Sequence, residues 1–335
     1  PMEEVAYGAI RGALHELGDP YTVFVEPPAR EQERETLRGN FGGIGAHISR
    51  NDNGDVTLDP LPNNPAAAAG IQSGDILLAV DGRSLGDELT VEEIAELIRG
   101  EKGTTVSLTI LKPGASEPIE LEIERSDILI PSVSYHLLAE APTVGYIKLE
   151  RFSGESSSEI ESALRDLRAQ GARQLILDIR HNGGGLLDAG IQVADHFLTD
   201  GPIMYQQSKG QEETLYEADA EAAAGDLPLL ILIDGNTASS SEILAGALQD
   251  RDRALLVGTR TFGKGSVQLV YDLSDGSSIH VTASRWLTPD RHQIDQHGLA
   301  PDILVETTQE SVDNGQDVVL HRAVEYFQNG MANGN

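Results

Sequence analysis

The chain has 335 residues, long enough for two or three compact units, and 39% of them are hydrophobic, enough to build real cores. It has no cysteine, which excludes disulfides, thiolate catalysis and thiolate metal sites. The 54 acidic residues against 24 basic ones give a formal charge of -30, a surface that repels nucleic acid and anionic membranes.

In chain order, residues 2 to 38 read as helical, with Val5, Ile10, Leu14 and Leu17 as apolar positions and a break at "GDPY" (18–21). The chain opens on this amphipathic pattern, so any targeting segment is expected to have been removed or to lie outside this sequence. Between 41 and 125 the pattern turns to short strands and glycine turns: "FGGIGAHI", "VTLDPL", "DILLAVDG", "TVSLTIL", "IELEIE". One helix, "TVEEIAELIRG" (90–100), interrupts them. From about 145, apolar strands alternate with amphipathic helices: "GYIKLE", a helix at 156–169, "QLILDI", "LLDAGIQVADHFL", "PLLILID", "SEILAGALQD" and "ALLVG". Strands that are apolar throughout predict a largely parallel, buried sheet. The low-complexity stretches are short, "NNPAAAAG" and the alanine-rich 218–224.

Several chemistries can be set aside. "GTRTFGKG" (258–265) begins like a phosphate-binding loop, but Gly265 stands where Ser or Thr must hold magnesium, and "GSVQLVYDL" continues as a strand rather than a helix. There is no G-x-S-x-G and no H-E-x-x-H. His292 and His297 have no carboxylate pattern around them and read as loop residues, so no metal site and no cofactor is expected.

The informative positions lie where parallel strands end. "GNTASSSEILAGAL" (235–248) places serines at a strand-to-helix turn, where unpaired helical N–H groups can stabilise an oxyanion. An N-cap needs one serine, and three are present. "RHNGGG" (180–185) lets bare backbone approach a ligand. A serine nucleophile needs a base, and without a Ser-His-Asp pattern a desolvated lysine is the alternative. Lys264 fits: glycines flank it, Phe262 and Val267 lie beyond them, and no acidic residue occurs within seven positions on either side.

The segment "NTASSSEILAGALQDRDRALLVGTRTFGKGSVQ" (236–268), which holds these serines and Lys264, resembles the active-site region of the carboxyl-terminal processing, or tail-specific, proteases. "LGDPYTVF", "PAAAAGIQSGDILLAVDG", "LILDIRHNGGG" and "RWLTPDRHQIDQHGLAPDI" extend the resemblance over nearly the whole chain. It implies an α/β fold: a crotonase/ClpP-like, largely parallel protease core with an inserted PDZ domain (a partly open β-barrel) and an N-terminal helical segment. The boundaries expected are 1–40 for the helical region, 41–127 for the PDZ domain, 128–310 for the core and 311–335 for a C-terminal helix and tail.

Residue by residue, the resemblance implies Ser239 as nucleophile, Lys264 as general base and Gln268 as the residue orienting the lysine. Backbone N–H groups of Ser240 and Gly184 would form the oxyanion hole, with Gly183 standing where the family has proline. Tail binding falls to Phe41, Gly42, Gly43, Ile44 and Gly45 in the carboxylate loop, and to Val91, Ile94 and Ile98 on the helix. Along a straight strand Lys264 and Gln268 lie roughly 13 Å apart, so a bend or bulge at Gly263 and Gly265 is expected. The implied partners are proteins with apolar C-terminal tails, an activating or adaptor protein and further copies of the chain, in an extracytoplasmic compartment. The alternative is a non-catalytic relative that binds peptide or ligand on the same core, against which the joint presence of Ser239, Lys264 and Gln268 argues.

Overall fold

A computed structural model describes residues 2–86, 88–219 and 222–332. Positions 220 and 221 of the alanine-rich stretch and the last three residues of the tail lie outside the described residues. The chain packs as two compact units, Asn40–Ile130 and the combination of Pro1–Gly39 with Pro131–Asn335.

The larger unit is built on a six-stranded sheet. Its strands run in the order Val133–Leu138, Ala141–Leu149, Gln174–Asp178, Leu229–Ile233, Leu255–Gly258, Ile303–Leu304. The first pair is antiparallel and the remaining pairs are parallel. Every residue of Gln174–Asp178 and of Leu229–Ile233 is buried, because helices cover both faces. Leu175, Leu177, Ile231 and Ile233 point into a core shared with helices Ser156–Ala169, Leu187–Asp195 and Ser240–Asp250. Ile176, Leu230, Leu232 and Val257 point the other way, onto Val319, Ala323, Val324 and Phe327 of helix Val318–Ala332. The buried parallel sheet read from the apolar runs is present.

A second sheet, antiparallel throughout, is not visible in that reading. It joins Val23–Val25, Ser278–Leu287, Pro202–Ser208, Thr214–Glu217 and Ser266–Asp272. The region read as helical over 2–38 is in fact helix Met2–His15, strand Val23–Val25 and helix Pro27–Arg38. Pro27 and Pro28 suit the first turn of that second helix, where N–H groups have no intrahelical partner. Gly39 ends it at φ 82°, its N–H bonded to Glu35 O at 2.9 Å.

The smaller unit is an antiparallel sheet in the order Ala46–Arg50, Val56–Pro60, Asp75–Val80, Thr105–Leu111, Ile119–Glu124, with Arg83–Ser84 paired to Asp75–Val80. A separate two-stranded ladder joins Asn40–Gly43 to Ser126–Leu129. Helix Val91–Ile98 starts on a complete capping box: Thr90 Oγ1 accepts from Glu93 N (3.2 Å), and Glu93 accepts from Thr90 N (2.7 Å). Among the described residues no helix is long and apolar enough to cross a membrane.

Candidate active site

Two loops at the carboxyl ends of neighbouring parallel strands form the site. One runs from Asp178 to Leu186, the other from Ile233 to Ser239. They are sewn together along their length. Thr237 Oγ1 donates to Ile179 O (3.0 Å), Ala238 N to Asn182 O (3.1 Å), and His181 N to Asp234 Oδ1 (3.0 Å). Asn182, fully buried, also donates from its amide to Leu149 O at 2.9 Å. The serine turn therefore has little freedom relative to the glycine loop.

The three serines separate cleanly. Ser241 Oγ is buried and donates to Asn182 O (2.9 Å), while Ser240 Oγ, also buried, reaches Gly185 O and Leu186 O (3.2 Å each). Ser239 alone is half-exposed. It stands at φ 57°, ψ −120°, a strained conformation for a side-chain-bearing residue, immediately before helix Ser240–Asp250. Ser240 N–H, the first of the helix, has no hydrogen-bond partner among the described residues.

Gly184 faces this turn. At φ 100° it occupies left-handed space, and a Cβ there would stand 2.9 Å from Ser239 Cβ and 3.0 Å from Ser240 N. Its own N–H points inward, donating to Asn182 Oδ1 at 2.9 Å. Gly183 N–H has no partner among the described residues, and a Cβ on Gly183 would meet open space.

The sequence reading missed Glu242, which organises the site. It is fully buried, and its carboxylate accepts from Thr261 Oγ1 (2.5 Å), Gly263 N (2.8 Å), Lys264 N (2.9 Å) and Ser239 N (3.0 Å). Ser239 N–H and Lys264 N–H converge on the same oxygen, Oε2. One side chain thus ties the serine turn to the lysine loop. Burial pushes its carboxyl up, and the four donors hold it back. The signal was available in Ser239-x-x-Glu242, the spacing of a capping box.

Burial likewise lowers the Lys264 pKa, against the charges of Glu33 and Glu242, which favour the ammonium. The acid-free neighbourhood seen along the sequence does not carry over into space: both carboxylates come from distant helices. Nor do the flanking apolar residues supply the cover. Phe262 is 54% exposed, and Val267 packs on the main core. Among the described residues no hydrogen bond joins Lys264 Nζ to Ser239. Gln268 donates to Ser266 Oγ (2.8 Å), not toward the lysine. The expected irregularity lies between Val267 and Gln268 rather than at the glycines. Gly263 and Gly265 instead permit close packing: a Cβ would come within 3.0 Å of Gly298 and His297 at the first, and of Asp295 at the second.

In the smaller unit, Gly42 and Gly43 sit in the two-stranded ladder opposite Asp127 and Ser126. Gly45, at φ 70°, abuts Asn64, and the Ile44 and Gly45 carbonyls accept from Ala66 and Leu61. Ile44, Ile94 and Ile98, expected to line the tail pocket, are instead buried in the core of this unit. Phe41 and Val91 remain partly exposed, and the Arg99 guanidinium lies 4.6 Å from the Phe41 ring centroid. Strand Ala46–Arg50 forms one edge of its sheet.

A strained serine at a helix N-terminus, a half-buried lysine tied to it through Glu242 and a separate antiparallel sheet with a free edge match what the sequence led one to expect of a serine peptidase carrying a PDZ domain. The comparisons with known proteins agree. The family model for Peptidase family S41 matches residues 143–305 and that for the PDZ domain matches residues 57–112. The chain is 39% identical over 336 residues to a carboxyl-terminal-processing protease of a Synechocystis strain, covering 98% of this chain and 78% of that protein. A chloroplastic C-terminal processing peptidase of Tetradesmus obliquus is 35% identical over 91% of this chain and 69% of its own length. The solved structure of a photosystem II D1 C-terminal processing protease is 34% identical, covers 93% of this chain and 86% of its own, and superposes with a TM-score of 0.54. The chain belongs to the carboxyl-terminal-processing proteases of peptidase family S41, serine peptidases with a PDZ domain that act on peptide or protein substrates.

Proposed function

We propose that Ser239 is the nucleophile and Lys264 the general base of this protease, and that the 40–130 unit captures the C-terminal tail of its substrate. The observation that carries the catalytic assignment is the Glu242 carboxylate, which holds the backbones of Ser239 and Lys264 on one oxygen. In the working reaction neutral Lys264 takes the Ser239 proton as Oγ attacks the scissile carbonyl, and then returns it to the leaving amine. The tetrahedral oxyanion falls to Ser240 N–H and to Gly184 N–H, once the latter swings off Asn182 Oδ1. Gln268 orients the lysine by exchanging its bond to Ser266 for one to Nζ. Water then repeats the sequence on the acyl-enzyme.

The tail adds as a strand along Ala46–Arg50, its carboxylate held at the 41–45 loop and its apolar side chains against Phe41, Val91 and the groove that Ile44, Ile94 and Ile98 support. In this account residues 1–40 are the N-terminal region of two helices and strand Val23–Val25, 41–127 the PDZ domain, 128–310 a crotonase/ClpP-like core and 311–335 the C-terminal helix and tail. Cleavage takes place outside the cytoplasm and uses no metal or cofactor. An activating adaptor or a homo-oligomer would show as a rate that rises with partner or enzyme concentration. The test is degradation of one model protein carrying different C-terminal tails. Apolar free tails should be degraded and amidated or charged ones spared, and equal degradation of free and amidated tails would defeat carboxylate capture.

A further inference from the structure

The lysine needs a cover that its own loop does not provide, and the structure shows one from the N-terminal region. Lys264 Nζ lies 5.2 Å from the centroid of the Tyr21 ring, within contact range of an aromatic face. The turn that presents this ring is tightly held. Asp19 accepts from Tyr21 N (3.1 Å) and Thr22 Oγ1 (2.6 Å), and Thr22 Oγ1 accepts from Thr282 N (3.2 Å). Val23–Val25 then pairs with Ser278–Leu287, the strand that also pairs with Ser266–Asp272, directly after Lys264. "GDPYT" is thus a bracket that fixes one ring against one ammonium.

The charged neighbours do not do this job. Glu33, from helix Pro27–Arg38, bonds Arg30 (2.8 Å) and lies 3.3 Å from His280. Glu242, from helix Ser240–Asp250, is committed to four other donors. Around Tyr21 itself stand Asp19, Asp295 and Glu242; burial first, and then these charges, raise the phenol pKa and keep it protonated. The ring therefore brings no formal charge that would hold the proton on the lysine.

We propose that Tyr21 is a positioning residue that keeps water off the Lys264 ammonium. The inference rests on the reading of Lys264 as the base. A ring face attracts a cation, but less strongly than the water it displaces hydrates one, so the net effect of the cover is to favour the neutral amine.

The test is the pH dependence of kcat/KM on a short unselective peptide, with 15N NMR titration of Lys264 Nζ in the Ser239→Ala background. Tyr21→Ala should move the lysine limb to higher pH by about one unit, a roughly tenfold loss at neutral pH that recovers at the alkaline plateau. Tyr21→Phe should restore the original limb. Tyr21→Ser opens the same gap with a residue that turns accept, and serves if the alanine variant does not fold. A limb and an Nζ titration that stay in place or move to lower pH in the opened variants overturn the Tyr21 inference alone. Full activity in Lys264→Arg, with no lysine limb in the unsubstituted enzyme, overturns the base assignment and this inference with it.

Discussion

At the scale of single residues, burial separates three adjacent serines, Ser240 and Ser241 packed and Ser239 half-exposed. Ser239→Ala should abolish hydrolysis and leave the melting temperature within a few degrees. Ser241→Ala should instead cost about 1 kcal/mol of stability, the worth of a buried hydrogen bond, and retain turnover. The sequence marked the serine cluster and the family resemblance picked Ser239 from it; what no local pattern displays is the burial that sets Ser240 and Ser241 apart from Ser239. Glu242→Gln should lower the rate at least tenfold and stability by about 1–3 kcal/mol, because an amide cannot accept from all four donors. Peptide turnover beside thermal unfolding separates the two effects. Gly183→Pro, which introduces the residue that the family resemblance expects where no N–H bond is lost and an added Cβ meets open space, should be tolerated or stabilise by about 0.4–1 kcal/mol.

At the scale of elements, legibility follows burial on two faces. Gln174–Asp178 and Leu229–Ile233 read plainly because every position is apolar or buried, and the loops after them could be named at once. Val23–Val25 could not be read. Three residues between an Asp-Pro turn and a Pro-Pro helix start carry no period, and their pairing partner lies at the far end of the chain. The same distance hid Tyr21 and Glu33 from Lys264. In the smaller unit the alternating strands are legible, but the pattern of helix Val91–Ile98 does not reveal that Ile94 and Ile98 face inward rather than toward the tail. Both are core residues, so Ile94→Ala should destabilise that unit by about 2–5 kcal/mol. Val91→Ala should weaken tail binding at little cost in stability. Calorimetry and tail-peptide titration distinguish the two.

At the scale of the whole molecule, the glycine loop is tied to the C-terminal helix. Arg180 binds Asp178 (2.6 Å) and Asp317 (2.7 Å), and Asp317 accepts from Leu320 N at the start of that helix (3.0 Å). Burial alone would raise the Asp178 carboxyl, but Arg180, Lys148 and Tyr146 outweigh it and hold it below the usual range. A carboxyl lowered in the folded state adds stability above its unfolded pKa of about 3.9, and that stability is lost as pH falls through the folded value. The melting temperature should therefore drop below about pH 4, and Asp178→Asn, destabilised throughout by roughly 3–5 kcal/mol, should show a shallower acid limb.

The central claim, one activated serine served by one lysine, is tested most directly by labelling the folded protein with a fluorophosphonate and mapping the adduct by peptide mass. The account predicts a single adduct on Ser239, absent in Ser239→Ala and in Lys264→Arg, since arginine cannot give up its proton to act as a base, and present in Ser241→Ala. An adduct on Ser240 or Ser241, or undiminished labelling of Ser239 in Lys264→Arg, would contradict it.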